Sequence, residues 1–337
     1  MDEGSRARLA PLRGELAAVE AGSSTEAANR EGGRYMHLEA TDSVLRVVNH
    51  PAFEGFGQLV LPTDGRRLQP GMTLDRIEPL LPYHEHIDPD TTLRVVNHMI
   101  DEVEGGRTIF YDIYTEQQKR EDPSKGSTGL FFFRGEPEAP FAVVCPGGGF
   151  AYVGSIHEGF PHALELSRRG YNAFVLKYRV GDGRRATEDL AVAISFVFEN
   201  AAALGVSTRD YSLWGSSAGA RMVASIGSVG PAGFGGGDLP GPGIVVMAYT
   251  GHSSFSVDDP PTFVTVSEDD RIVNVRVVEG RLEAMRRAGI DVEYRRYRSA
   301  GHGFGLGIGT DAEGWIEHAV QFWVRHSDAI RAGRRDR

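Results

Sequence analysis

Cysteine is almost absent from this chain. One thiol, Cys145, occurs in 337 residues, so no intrachain disulfide can form, and a reducing, cytoplasmic setting is the expectation. Long apolar runs are missing too. No stretch approaches the roughly 20 apolar residues of a membrane helix. The N-terminal stretch, with Glu3, Arg6, Arg8, Arg13 and Glu15 interspersed, lacks the apolar core of a secretory leader. A membrane partner is therefore not expected. Positive charge is in deficit, 36 Lys and Arg against 46 Asp and Glu for a net −10, which argues against nucleic acid as a partner. The short tail Arg331 to Arg337 is basic, and residues 329–337 read as a frayed, solvated end. What is present is ordinary for a soluble globular chain: 41% hydrophobic residues in a length that can bury a large core.

Residues 1–34, rich in Ala, Gly, Ser, Glu and Arg, read as a weak helix or a disordered arm. Residues 35–106 carry many turn signals and few strand-like runs. They end in a helical pattern that opens at Asp88-Pro89-Asp90, with Leu93, Val96, Ile100 and Val103 on one face. This extension is read as a cap or as a contact between copies of the chain in a homo-oligomer. From 107 to 328 strands and helices alternate. The expected strands are Thr108–Ile113, Gly129–Phe133, Ala142–Cys145, Ala173–Tyr178, Tyr211–Trp214, Ile244–Ala248, Thr262–Val266 and Val292–Tyr297. Several are continuous apolar runs, as required of strands covered on both faces. Between them, Leu190, Ala193, Ile194, Val197 and Phe198 follow helical spacing, and Val275 to Arg287 and Ala312 to Val324 are further helical candidates. The pattern predicts an α/β fold: one doubly wound, mostly parallel eight-stranded sheet with helices on both faces, whose ligands bind beyond the carboxyl ends of the strands.

Chemistry concentrates at those ends. Gly215-Ser216-Ser217-Ala218-Gly219 lies between a strand-like run and a helix-compatible one. Small residues around the central serine permit a turn tight enough to expose Ser217 at a helix N-terminus, the G-x-S-x-G pattern. A serine needs a base to take its proton and a carboxylate to orient that base, and in such sheets these follow in the order acid, then histidine. The strand ending at Val266 leads into Ser267-Glu268-Asp269-Asp270. Asp270 is the choice for the acid, with Asp269 and then Glu268 behind it. The last strand leads to Gly301-His302-Gly303, which makes His302 the candidate base. Pro146-Gly147-Gly148-Gly149-Phe150 leaves backbone N–H groups unobstructed, with no lysine to make a phosphate loop. Gly148, Gly149 and Ala218 are assigned to an oxyanion hole. Phe150, Tyr152, Tyr249 and His252, just past strand ends, are expected to line the substrate pocket.

These segments resemble those of the α/β-hydrolase esterases, a family that includes acetyl esterases and small carboxylesterases, some acting on carbohydrate esters. The resemblance runs from about Thr108 to Val324. It implies the α/β-hydrolase fold, the triad Ser217, Asp270 and His302, and hydrolysis of a small-molecule ester through an acyl-enzyme, with a short or acetyl acyl group. The chain departs from the family at Cys145-Pro146, where many members carry a histidine before the glycines, and at Arg271, where proline is frequent. A peptidase or amidase with the same triad is the alternative within enzymes. A ligand-binding protein on a hydrolase fold is the alternative outside them. Neither a cofactor nor a metal is expected. His84-Glu85-His86-Ile87-Asp88 has the H-x-H-x-D spacing of a ligand set, but the usual following histidine is missing and Pro89-Asp90 reads as a helix start.

Overall fold

Short apolar runs bounded by Gly, Pro and Asp become the strands of one eight-stranded sheet. The computed structural model describes residues 30–31, 34–69 and 71–335, with side chains over 34–69 and 71–327. Most of the 1–34 arm, and the side chains of the 329–337 tail, therefore lie outside the described residues. The strands are β1 (Phe110–Tyr111), β2 (Gly129–Phe133), β3 (Pro140–Cys145), β4 (Asn172–Lys177), β5 (Ser207–Ser216), β6 (Ile244–Ala248), β7 (Thr262–Ser267) and β8 (Val292–Tyr297). Their order across the sheet is β8-β7-β6-β5-β3-β4-β2-β1. The β1–β2 and β2–β4 pairs are antiparallel and the rest parallel.

Alternate residues of the central strands enter two separate cores. Phe131, Val144, Val175, Trp214, Val246 and Phe263 face one way, against α1 (Pro89–Glu104), α2 (Phe160–Arg168) and α6 (Trp315–Arg335). Leu130, Val143, Phe174, Leu213, Val245 and Val264 face the other, against α3 (Gly183–Glu199), α4 (Ala218–Val229) and α5 (Val275–Arg287). Each fully buried Val, Leu, Ile or Phe contributes about 1.5–3 kcal/mol relative to exposure, so the two-sided burial explains why these runs read as continuous rather than alternating. Cys145 is fully buried in the second core, and burial raises its thiol pKa far above the usual range.

Beyond shifts of a few residues at the ends of several strands, three sequence expectations are adjusted. The first strand shrinks from Thr108–Ile113 to Phe110–Tyr111, because only Phe110 and Tyr111 pair with β2 at the sheet edge. The buried face of α1 is Val95, Val96, Met99 and Ile100, rotated from the expected stripe, and Leu93 and Val103 are only half-buried. The last helix continues to Arg335, so the backbone of the basic tail is largely helical instead of frayed.

The extension joins the first core directly, through Leu38, Val44, Val47, Phe53, Val60, Leu74, Ile77 and Leu81. It is also held by charge. Lys177 Nζ, at the end of β4, donates to both oxygens of Asp64 at 2.6 and 2.7 Å. The two side chains are 2% and 5% exposed, and Asp64 also accepts from Val153 N–H at 2.9 Å. Removing one member of such a pair strands a buried charge, typically at a cost of about 3–5 kcal/mol.

Candidate active site

Register brings the chemistry together. Cys145 pairs with Gly215, Ser216 with Ala248, Ala248 with Thr265, and Ser267 with Tyr297. The carboxyl ends of β3, β5, β6, β7 and β8 are thus level, and the loops that follow them share one edge of the sheet. Ser217 sits between β5 and α4 with φ 49° and ψ −110°, a left-handed backbone that costs a residue with a side chain on the order of 1–3 kcal/mol. The turn closes only because its flank is glycine: a Cβ on Gly219 would collide with the Cys145 carbonyl oxygen.

Ser217 Oγ lies 3.0 Å from His302 Nε2. His302 Nδ1 lies 2.8 Å from Asp270 Oδ2, with the two side chains 3% and 0% exposed. The other oxygen of Asp270 accepts from the Ile272 and Val273 N–H groups, both at 2.8 Å, which fixes the carboxylate. Asp269 faces elsewhere. Its Oδ1 accepts from the Ser267 hydroxyl at 2.5 Å and from Gly301 N–H at 2.8 Å, and the Ser267 bond is the main reason its carboxyl is held below the usual range. Ser267 Oγ in turn accepts from Ala300 N–H at 2.8 Å. One acid of the run meets the imidazole, and its neighbour holds the loop that carries the imidazole. Glu268 turns outward to Arg296 at 2.9 Å.

The glycine loop lies against the serine. A Cβ on Gly147 would come within 2.8 Å of Ser217 Cβ and 2.9 Å of the Ser216 carbonyl oxygen. Gly148 and Gly149 follow with φ 126° and 63°, and among the described residues their N–H groups meet no acceptor. Ala218 is the first residue of α4, where an N–H has no partner within the helix. Tyr178 anchors the loop from below, its hydroxyl donating to the Pro146 carbonyl at 2.7 Å.

The expected pocket residues divide. Phe150 (φ 58°) is half-buried against Tyr178 and next to Gly183. His252 is half-buried, and burial, then the Arg281 and Arg221 charges, pull its pKa down. Tyr152 and Tyr249 are fully buried, and their hydroxyls point into an internal polar network. That network, and the reach of the extension into it, escaped the sequence reading. Tyr249 OH donates to Glu158, and Gly147 N–H donates to the same carboxylate. His84 Nε2 lies 2.9 Å from Glu158 and its Nδ1 2.9 Å from Tyr152 OH. Tyr152 OH also accepts from Tyr83 N–H at 3.0 Å. His157 Nε2 donates to the Gly303 carbonyl at 2.9 Å, beside His302. Glu85 N–H reaches the same carbonyl at 3.3 Å, and a Glu85 oxygen accepts from His302 N–H at 3.4 Å. Of the H-x-H-x-D set, His84 is thus turned to Glu158, while Asp88 caps α1 by accepting from Thr91 N–H at 2.9 Å. The exposed ring of Tyr83 stacks on Tyr152 and lies 3.0 Å from where a Gly149 Cβ would be. The sequence signals for this region were the histidine pair, the loop placement of His157, and Tyr152 and Tyr249 just past strand ends. Glu158 had none.

Acid should loosen this site. Burial lowers the His157 pKa from 6.5 to about 3 and lowers that of His162 as well. Burial alone would raise Glu158, but attraction to His84 and hydrogen bonds from His84 and Tyr249 hold it at about 2. Between pH 6.5 and about 3 the unfolded His157 binds a proton that the folded one refuses, and His162 contributes in the same direction. Between 4.5 and 2 the unfolded Glu158 does the same. Both contributions are complete near neutrality and are lost as pH falls. The melting temperature should therefore decline steadily below about pH 6.5; a curve flat from pH 7 to 4 would contradict the assigned protonation states.

The level strand ends, the serine turn after β5 and the strand order define an α/β-hydrolase fold. The BD-FAE family profile matches residues 134–232, which include the glycine loop and the serine turn. The chain is similar to an acetylxylan esterase of Xylanibacter ruminicola, 26% identical over 237 residues, 59% of this chain and 49% of that protein. It thus spans about half the length of that curated relative. Among solved structures it is similar to an acetyl ester-xyloside bifunctional hydrolase of Caldicellulosiruptor lactoaceticus, with TM-score 0.55, 21% identity, and coverage of 64% of this chain and 95% of that one. A sugar hydrolase of Lactococcus lactis gives TM-score 0.52, 20% identity, and coverage of 60% and 95%. The chain therefore resembles the α/β-hydrolase esterases, as its motifs imply. Among the described residues no helix is long and apolar enough to cross a membrane.

Proposed function

We propose that this chain is a serine carboxylic ester hydrolase that removes short acyl groups, acetyl above all, from a small carbohydrate-like alcohol. The observation that carries the reading is the unbroken chain from Ser217 Oγ through His302 to Asp270, at 3.0 and 2.8 Å, beside the open N–H groups of the glycine loop. Ser217 attacks the ester carbonyl while His302 Nε2 takes its proton. Asp270 holds the ring by Nδ1 and stabilises the imidazolium. The carbonyl oxygen, now anionic, is received by the N–H groups of Gly148, Gly149 and Ala218, and the N-terminal end of α4 favours the same charge. His302 returns the proton to the departing alcohol, and water releases the acid from Ser217 by the reverse sequence.

Support for a short acyl group comes from crowding at Gly149, where the Tyr83 ring closes one side. Support for a sugar alcohol comes from that exposed ring at the rim and from the relatives named above. The segment 35–106 belongs to the site in this reading, since it contributes Tyr83, His84 and Glu85. The test compares p-nitrophenyl acetate, butyrate and octanoate, acetylated xylo-oligosaccharides, and the matching p-nitroanilide. Turnover should be fastest with acetyl esters and weakest with the anilide. Faster anilide cleavage would make the protein an amidase, and no ester turnover at all would sink the enzyme reading.

A further inference from the structure

Glu158 is a carboxylate with no exposed surface, and its hydrogen bonds go to Gly147, His84 and Tyr249, outside the triad. It lies on a π-helical turn, Ser155–Gly159, that leads into α2; such turns are rare and cluster at functional sites. Burying a lone carboxylate costs several kcal/mol unless donors surround it. Here each oxygen has a partner belonging to the site. Oε1 accepts from Gly147 N–H and meets His84 Nε2 at 2.9 Å, and Oε2 accepts from Tyr249 OH. Gly147 precedes Gly148 and Gly149 and packs on Ser217. Tyr249 packs its ring against that of His302, centroids 5.3 Å apart and 65° between planes. A single buried charge therefore ties the glycine loop to the neighbour of the base.

We propose that Glu158 is a positioning residue for the oxyanion hole: its charge fixes Gly147 so that the next two N–H groups stay aimed at the developing oxyanion. His84, from the extension, partners the carboxylate, so docking of residues 35–106 is coupled to the geometry of the hole. The bonds to Glu158 are charge-assisted and hold the loop more stiffly than neutral ones would. A merely structural carboxylate would change stability when neutralised. A positioning one changes the transition state selectively.

The inference rests on the acyl-transfer reading and is tested on the full chain with p-nitrophenyl acetate and a trifluoromethyl ketone, whose adduct with serine places an oxyanion in the hole. Glu158→Gln keeps size and removes charge. Its kcat should fall on the order of 10²-fold, as when an oxyanion donor is lost. KM should stay within about threefold, and ketone affinity should weaken in parallel with kcat. Should this variant fail to fold, Tyr249→Phe removes the Oε2 bond together with the hydroxyl's contacts to Ser216 and Gly305; about a tenfold loss of kcat at constant KM is then expected. A folded Glu158→Gln, or Tyr249→Phe in its place, that keeps wild-type kcat and ketone affinity would overturn the proposal. So would a fall in melting temperature without either kinetic change. Wild-type protein silent toward every ester would instead remove the acyl-transfer reading, and this inference with it.

Discussion

Ser217→Ala should lower ester turnover on the order of 10⁶-fold, to the rate that the oxyanion hole and binding alone can supply. The reason is geometric. Ser217 Oγ is the hydroxyl within 3.0 Å of the imidazole, and no thiol can substitute, because Cys145 is fully buried with its pKa raised. Alanine inherits the same left-handed backbone, so the strain at φ 49° persists and the fold should be retained. Steady-state hydrolysis of p-nitrophenyl acetate measures the rate. A fluorophosphonate probe should label the wild type and leave the variant unlabelled. A rate within about tenfold of wild type would place the nucleophile elsewhere.

The second large effect separates two adjacent acids. Asp270→Asn should reduce kcat on the order of 10⁴-fold, because an amide facing Nδ1 favours the wrong tautomer and cannot stabilise an imidazolium. Asp269→Asn should cost no more than about tenfold, since the amide oxygen can still accept from Ser267 and Gly301 while only the charge is lost. The contrast is more informative than either number, because the two residues are adjacent in the chain yet only the Asp270 side chain is buried against the imidazole. Similar losses at both positions would mean that the acidic run acts as a shared field; the reverse order would make Asp269 the partner of the base.

Much of this architecture could be read from residue order. β2, β6 and β8 have the boundaries expected of them, because each is a short run bounded by a residue that cannot continue a strand or lies in a turn. β5 begins earlier than its apolar core suggests. Ser207 pairs with Pro140 through an irregular register, and polar residues that pair across an edge give no periodic signal. The serine, acid and histidine segments were legible because their chemistry needs glycine or clustered carboxylates at strand ends. That Asp270 and not Asp269 lies beside the imidazole needed coordinates, since two successive residues of a turn differ only in the direction their side chains take. Tyr83, Glu158 and the partners that His84 and Glu85 find were illegible for another reason. They meet the site through contacts between distant parts of the chain, and a buried glutamate in a mixed run such as Ser155-Ile156-His157-Glu158-Gly159 looks the same in sequence as an exposed one.

The contact between Glu85 and His302 joins residues 217 positions apart. Tyr152 with His84 and Lys177 with Asp64 join residues 68 and 113 positions apart. Closing loops of this length costs entropy before any contact repays it, so such contacts tend to form late in folding. The parallel strands around β5 can assemble from nearer neighbours, whereas the edge that carries the imidazole is complete only when the first and last parts of the described chain meet. In the proposed enzyme, competence would be acquired at the end of folding, and hydrolysis would report long-range chain closure.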